Sequence, residues 1–281
     1  MLIEILVSVA LIIASYTDIR TREVPDWLNF ALIFSGVGYR AIASAVSWEW
    51  GYLVDGAAGF AVCLVVALVM YYTGQWGGGD SKMILGLGIL LGFDMTLDSL
   101  ILSFLLNLVF IGAIYGLLWS VILAFKNSKE FRRSWAVQQK CMEKAKAAIL
   151  IIGTAVMASL LLVHDSQLRV ILVLCYMLLA ASPYLWVFVR SVEKSCMLKR
   201  MSPGKLTEGD WIAEDVIVDG RRICGPKDLG VDRKQIAELI SLEKKNRIRR
   251  VHVKEGIPFV PSFLLSFLVS IALGNLVYLV I

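Results

Sequence analysis

Long apolar stretches alternate with short polar ones along most of the chain. The apolar runs cover about residues 2–17, 27–46, 52–73, 82–97, 100–125, 147–163, 168–190 and 259–281. Runs of roughly 17 to 25 apolar residues are long enough to cross a bilayer as helices. The fourth, opening with KMILGLGILLGF, is shorter and rich in glycine. No strand-like alternation of the kind a membrane barrel needs competes with this pattern. The pattern predicts an all-α polytopic membrane protein with about eight transmembrane helices.

One long segment breaks the rhythm. Residues 191–258 are polar and contain both periodicities. DWIAEDVIVDG and RIRRVHVKEG alternate as strands do, whereas VDRKQIAELISLEKKN has the spacing of a helix. In the latter, Val231, Ile236, Leu239 and Ile240 share a face and Asp232 is placed to cap the start. This predicts a small α/β module before the last helix, with a thin core for its size. The expected division is a membrane domain at 1–190, the module at 191–258 and a C-terminal transmembrane helix at 259–281.

Composition agrees with the membrane reading: 58% of residues are hydrophobic, 18% are charged and the mean hydropathy is +0.73. Charge adds an orientation. With the N-terminus outside, the inner segments are 18–26, 74–82, 126–146 and 190–258. Only Arg40 and Arg169 of the 28 basic residues are then left for the outer side, as the enrichment of lysine and arginine in cytoplasmic loops requires. Both termini are expected outside the cytoplasmic membrane, with the polar module inside. The net charge of +5 is accounted for by this topology and by anionic lipid, so nucleic acid is not an expected partner. The first run lacks a basic flank and a small-residue cleavage site, which predicts a retained helix rather than a signal peptide. The five cysteines form no CxxC pair, and His164 and His252 are the two histidines. Neither a zinc site nor a disulfide framework is expected, and no cofactor.

The candidate chemistry lies in two carboxylates at one depth. Asp18 ends the first apolar run, in IIASYTDIRTREVPDW, and Asp80 begins the fourth, after Gly77, Gly78 and Gly79 in GQWGGGDSK. The topology puts both at cytoplasmic helix ends, where they can meet. Ionisable groups near a membrane interior are costly and point to function. Each also has a plainer reading: Asp80 as a helix cap behind a flexible turn, Asp18 as an interfacial acid paired with Arg20 or Arg22. Two carboxyls about 3 Å apart share one proton, so that one acts as base on water while the other polarises a carbonyl. Lys82 stands two residues after Asp80, placed either to tune that carboxyl or to reach toward the interface.

These residues resemble a known family. GGGD fits the GxGD signature of intramembrane aspartyl proteases. With Asp18 followed by IRTREVPDW, and with the longer GGGDSKMILGLG, residues 1–125 resemble the archaeal preflagellin and type IV prepilin peptidases. The resemblance implies a membrane aspartyl endopeptidase that removes short basic leaders from archaellin or pilin-like precursors at the cytoplasmic face. It implies Asp18 and Asp80 as the catalytic pair, with Gly77, Gly78 and Gly79 as motif backbone. Family members usually have six helices, two fewer than expected here. A basic leader calls for acidic partners, and Glu23 and Asp26 lie just past Asp18. The expected partners are membrane-anchored precursors and the lipid bilayer, and the sequence leaves the oligomeric state open. Two other classes stay in view: a proton-coupled transporter, which calls for an internal repeat and midplane sites, and a noncatalytic scaffold of a pilus or archaellum assembly. No repeat relates the two halves.

Overall fold

The computed structural model describes residues 2–94, 96, 99–159 and 165–279. The ends of the expected runs at 95, 97, 160–163 and 280–281, and His164, lie outside the described residues. The chain divides into two compact units, Met1–Leu118 with Met201–Ile281, and Trp119–Arg200. This cuts across the division drawn from hydropathy, because the polar segment and the last helix fold with the first helices.

The first unit contains α1 (Leu2–Thr21), α2 (Asp26–Ser47), α3 (Gly51–Tyr72), α4 (Gly78–Leu91) and most of α5 (Leu100–Lys126). These helices follow the apolar runs to within a few residues. The exception is α4, which starts four residues before the expected 82 and takes the glycine motif into its first turn. Its position is central. Met83, Ile84, Leu87 and Leu90 are fully or almost fully buried. Small residues allow this: a side-chain carbon on Gly88 would stand 2.5 Å from the Gly59 carbonyl oxygen of α3, and one on Gly86 would stand 2.7 Å from Leu32 of α2. Close helix approach through small residues is the usual packing mode inside a bilayer. The C-terminal end of α4 is held by Arg40 of α2. Its Nε donates to the Ile89 carbonyl at 3.1 Å and its Nη2 to Leu90 at 2.9 Å. A cation at a helix C-terminus also complements the macrodipole. Arg40, counted as one of the few basic residues of the outer side, is thus buried and structural.

The second unit is built from α6 (Ser128–Cys141), α7 (Glu143–Ser159) and α8 (Ser166–Cys196) with the end of α5. The basic segment 126–146 is therefore mostly helix. Phe131 and Trp135 of α6 pack on Phe188 of α8, with ring centroids 5.7 and 6.5 Å apart, while Lys129, Arg132, Arg133 and Lys140 stay exposed. Asp165 caps α8 by accepting from the amides of Gln167 and Leu168.

Five described helices are long and apolar enough to cross a membrane: α1, α2, α3, α5 and α8. The chain is accordingly a multi-pass helical membrane protein. The other expected spans correspond to shorter helices, α4 with 14 residues, α7 with 17 and α10 (Val260–Leu273) with 14. Large apolar side chains such as Phe34, Val46, Ile114 and Leu118 point outward, as a lipid-facing surface requires.

β1 (Leu198–Met201) is the first strand of the polar segment. There β2 (Trp211–Ile212) pairs antiparallel with β5 (Val251–Lys254), placing Trp211 opposite Lys254. β3 (Val216–Val218) and β4 (Arg221–Cys224) form a hairpin. Asp219 and Gly220 close it with positive φ angles of 51° and 79°, the conformation that tight hairpin turns demand. α9 (Arg233–Lys244) is capped as expected, since Asp232 accepts from the Gln235 amide at 2.7 Å. Val231, Leu239, Val251, Val253, Ile212 and Cys224 form a small separate core.

Candidate functional site

The site is assembled from the end of one helix and the starts of two others. Asp18 lies in the last turn of α1 and is 4% exposed. Its Oδ2 accepts the Val260 N–H at 2.9 Å, and the Phe259 amide adds a second contact. These are the free amides of the first turn of α10, which no intrahelical carbonyl can satisfy. Pro261 follows in the first turn, where proline is well suited. A carboxylate at the C-terminus of its own helix is thereby placed at the favourable N-terminus of another.

Asp80 is the third residue of α4 and is half-buried. Its Oδ2 reaches back to accept the Gly77 N–H at 3.3 Å, a local capping contact. The Asp18 and Asp80 carboxyls lie close enough for their charges to act on each other. Arg22 and Tyr115 are also within electrostatic reach of Asp18. The two aspartates, 62 residues apart in the chain, are therefore brought together.

The glycines work differently from expectation. None of Gly77, Gly78 and Gly79 has positive φ, and Gly77 is extended with φ −74° and ψ 169°. Left-handed freedom is not what the motif uses here. Space matters at Gly79, where a side-chain carbon would stand 3.2 Å from Val24. Gly78 faces open space. Asn29 of α2, fully buried, donates from Nδ2 to the Gly79 carbonyl at 3.3 Å and ties the motif to the start of α2.

α10 joins the two aspartate-bearing helix ends. Besides holding Asp18, it packs Phe259 and Phe263 on Trp76, just before the glycines, with ring centroids 6.1 and 5.2 Å apart. Neither these amides nor Asn29 was singled out from the sequence. Pro258 and Pro261, flanking Phe259 and Val260, were the available signal in the sequence.

The remaining candidates are engaged elsewhere. Lys82 pairs with Asp26 at 2.6 Å and lies over the Phe30 ring, so it turns away from Asp80. Glu23 accepts from the Thr207 hydroxyl at 2.8 Å, and Arg22 stands 4.0 Å from Glu255. The two acids suggested for a basic leader, Glu23 and Asp26, are thus engaged by Thr207 and Lys82. Among the described residues, no three His, Cys, Asp or Glu side chains converge as a metal site requires.

Fold and site together define a class: a multi-pass helical membrane protein that places two carboxyls from separate helices within electrostatic reach of each other at helix ends. Residues 5–125 match the type IV leader peptidase family, so the resemblance read from the sequence holds over this N-terminal part. Over 125 residues the chain is 34% identical to a preflagellin peptidase of Methanococcus maripaludis (strain C6), covering 42% of this chain and 54% of that protein. It is 34% identical over 84 residues to a preflagellin peptidase of Methanocaldococcus jannaschii, covering 30% and 36%. It is also 34% identical over 106 residues to a prepilin leader peptidase/N-methyltransferase of Bacillus subtilis (strain 168), covering 38% and 40%. The chain thus spans about half the length of the first of these relatives and less of the others. No solved structure matches it. The matched stretch contains both aspartates and ends before the polar module and α10.

Proposed function

We propose that the chain is a membrane aspartyl endopeptidase that removes short basic leaders from preflagellin or prepilin-like precursors at the cytoplasmic membrane face. The observation that carries this reading is the approach of a half-buried Asp80 to a buried Asp18 that is held by the α10 amides. Two neighbouring carboxyls there share one proton. The ionised member takes a proton from water, which attacks the scissile carbonyl. The protonated member polarises that carbonyl and then protonates the departing amine. The pair titrates as a unit. No metal or covalent intermediate enters these steps. The relatives' names support a leader peptide as substrate. Asp26, exposed beside Lys82, is the acid best placed to meet a basic leader. The same reading places both termini outside and the polar module in the cytoplasm.

The test is incubation of the purified protein with preflagellin and prepilin precursors, followed by sequencing of the new N-terminus. Asp18→Asn and Asp80→Asn are each expected to lower cleavage by at least about a thousandfold, the scale of losing a catalytic acid or base, and chelators are expected to leave it unchanged. Native rates in either variant would falsify the dyad.

A further inference from the structure

The polar module is attached to the loops that adjoin both aspartates. The Thr207 hydroxyl donates to Glu23, in the loop after Asp18. The Trp211 ring covers Gly74, in the loop before Asp80. Gly74 has φ +70°, and a side-chain carbon there would stand 2.7 Å from the indole. The stretch between these residues is firmly folded. The Thr207 amide donates to Asp210 Oδ2 at 2.7 Å, and the Val231 amide to the Asp210 carbonyl at 2.9 Å.

The same strand leads to the site. Trp211 is the cross-strand partner of Lys254, and the Ala213 amide extends the pair by donating to the His252 carbonyl at 2.8 Å. From Lys254 only residues 255–259 separate β5 from Val260, whose amide holds Asp18. Within that link Glu255 faces Arg22 at 4.0 Å. A continuous run of pairing and covalent chain thus connects β2 through β5 to the first turn of α10.

We propose that Thr207 and Trp211 are positioning residues for Asp18, acting through the β2–β5 pair and the α10 amides, which makes the polar module part of the site's rigid frame. This rests on the reading of Asp18 and Asp80 as a proteolytic pair. Placement errors of about 1 Å, arising far from the chemistry, can cost about a hundredfold in rate.

The full-length protein is assayed on a precursor with a basic leader. Trp211→Ala and Thr207→Val are expected to lower kcat about tenfold to a hundredfold with little change in KM. Thr207→Ser, which keeps the hydroxyl, is expected to restore the native rate. A second arm joins Glu23→Cys to Thr207→Cys with a short reducible crosslinker, in a chain whose Cys141, Cys175 and Cys196 are serine. Crosslinking is expected to recover the rate that the unlinked pair of substitutions loses. An inactive crosslinked form that recovers on reduction overturns the proposal, because the module is then a cover that must lift. A raised KM with native kcat in Trp211→Ala also overturns it, because the module then binds the leader. If Asp18→Asn is inactive while Trp211→Ala cleaves normally, only the positioning role falls. If Asp18→Asn cleaves normally, the proteolytic reading falls as well.

Discussion

An aspartate in the last turn of a helix faces a dipole that disfavours it by about 0.3–1 kcal/mol. Asp18 meets this with amides from another helix, 242 positions further along. Asparagine at 18 keeps an oxygen for Val260, so the loss expected of Asp18→Asn is chemical rather than structural. The glycines give a contrast at the same scale. A methyl group at Gly88 meets backbone oxygen of Gly59 and Cβ of Cys63, whereas at Gly78 it meets nothing. Thermal unfolding in detergent is expected to show Gly88→Ala destabilised by about 1–3 kcal/mol or more, and Gly78→Ala within about 0.5 kcal/mol of native. Both aspartates were legible in the sequence because GGGD and the end of an apolar run are local marks. The amides of Phe259 and Val260 were not, because a backbone N–H has no side-chain signature.

Among the elements, α10 is fastened at both ends. Asp18 holds its start. At its finish, the fully buried Asn107 of α5 donates to Ser270 Oγ and to the Gly274 carbonyl, both at 2.8 Å, and accepts the Leu276 amide at 3.0 Å. Asn107→Leu leaves these groups without that partner, at a cost of about 1–3 kcal/mol for each that stays buried and unpaired. The expected result is lower thermal stability together with a lower cleavage rate, since α10 carries the Asp18 amides. Long spans such as α3 and α5 were readable because hydropathy over 20 residues is a strong signal. The start of α4 was misplaced because glycine disfavours a helix, and contacts made by Asp80, Ser81 and Asn29 set it instead. α6 was hidden because its basic residues signalled topology before its aromatic face signalled packing.

For the molecule as a whole, the polar module and the loops that adjoin the aspartates share one compact unit, which fits their common assignment to the cytoplasmic side. Cysteine labelling tests that orientation. Cys141 on α6 is exposed and Cys224 is buried in the module core. Burial pushes the Cys224 thiol up to about 11. It is therefore neutral at pH 7 and gains thiolate only as pH rises toward that value. A membrane-impermeant maleimide at pH 7 is expected to label Cys141 in inside-out vesicles and not in intact cells, leaving Cys224 unlabelled in both. The helix behind Asp80 carries a further consequence. At 14 residues, α4 is about 21 Å long, short of the roughly 30 Å of a bilayer's hydrocarbon. Because α4 is packed against α2 and α3, that shortfall is met by neighbouring protein or by solvent rather than by lipid. On the proteolytic reading proposed above, the acid on its first turn would then be met from the water side of the interface, by a substrate whose anchor need not leave the bilayer.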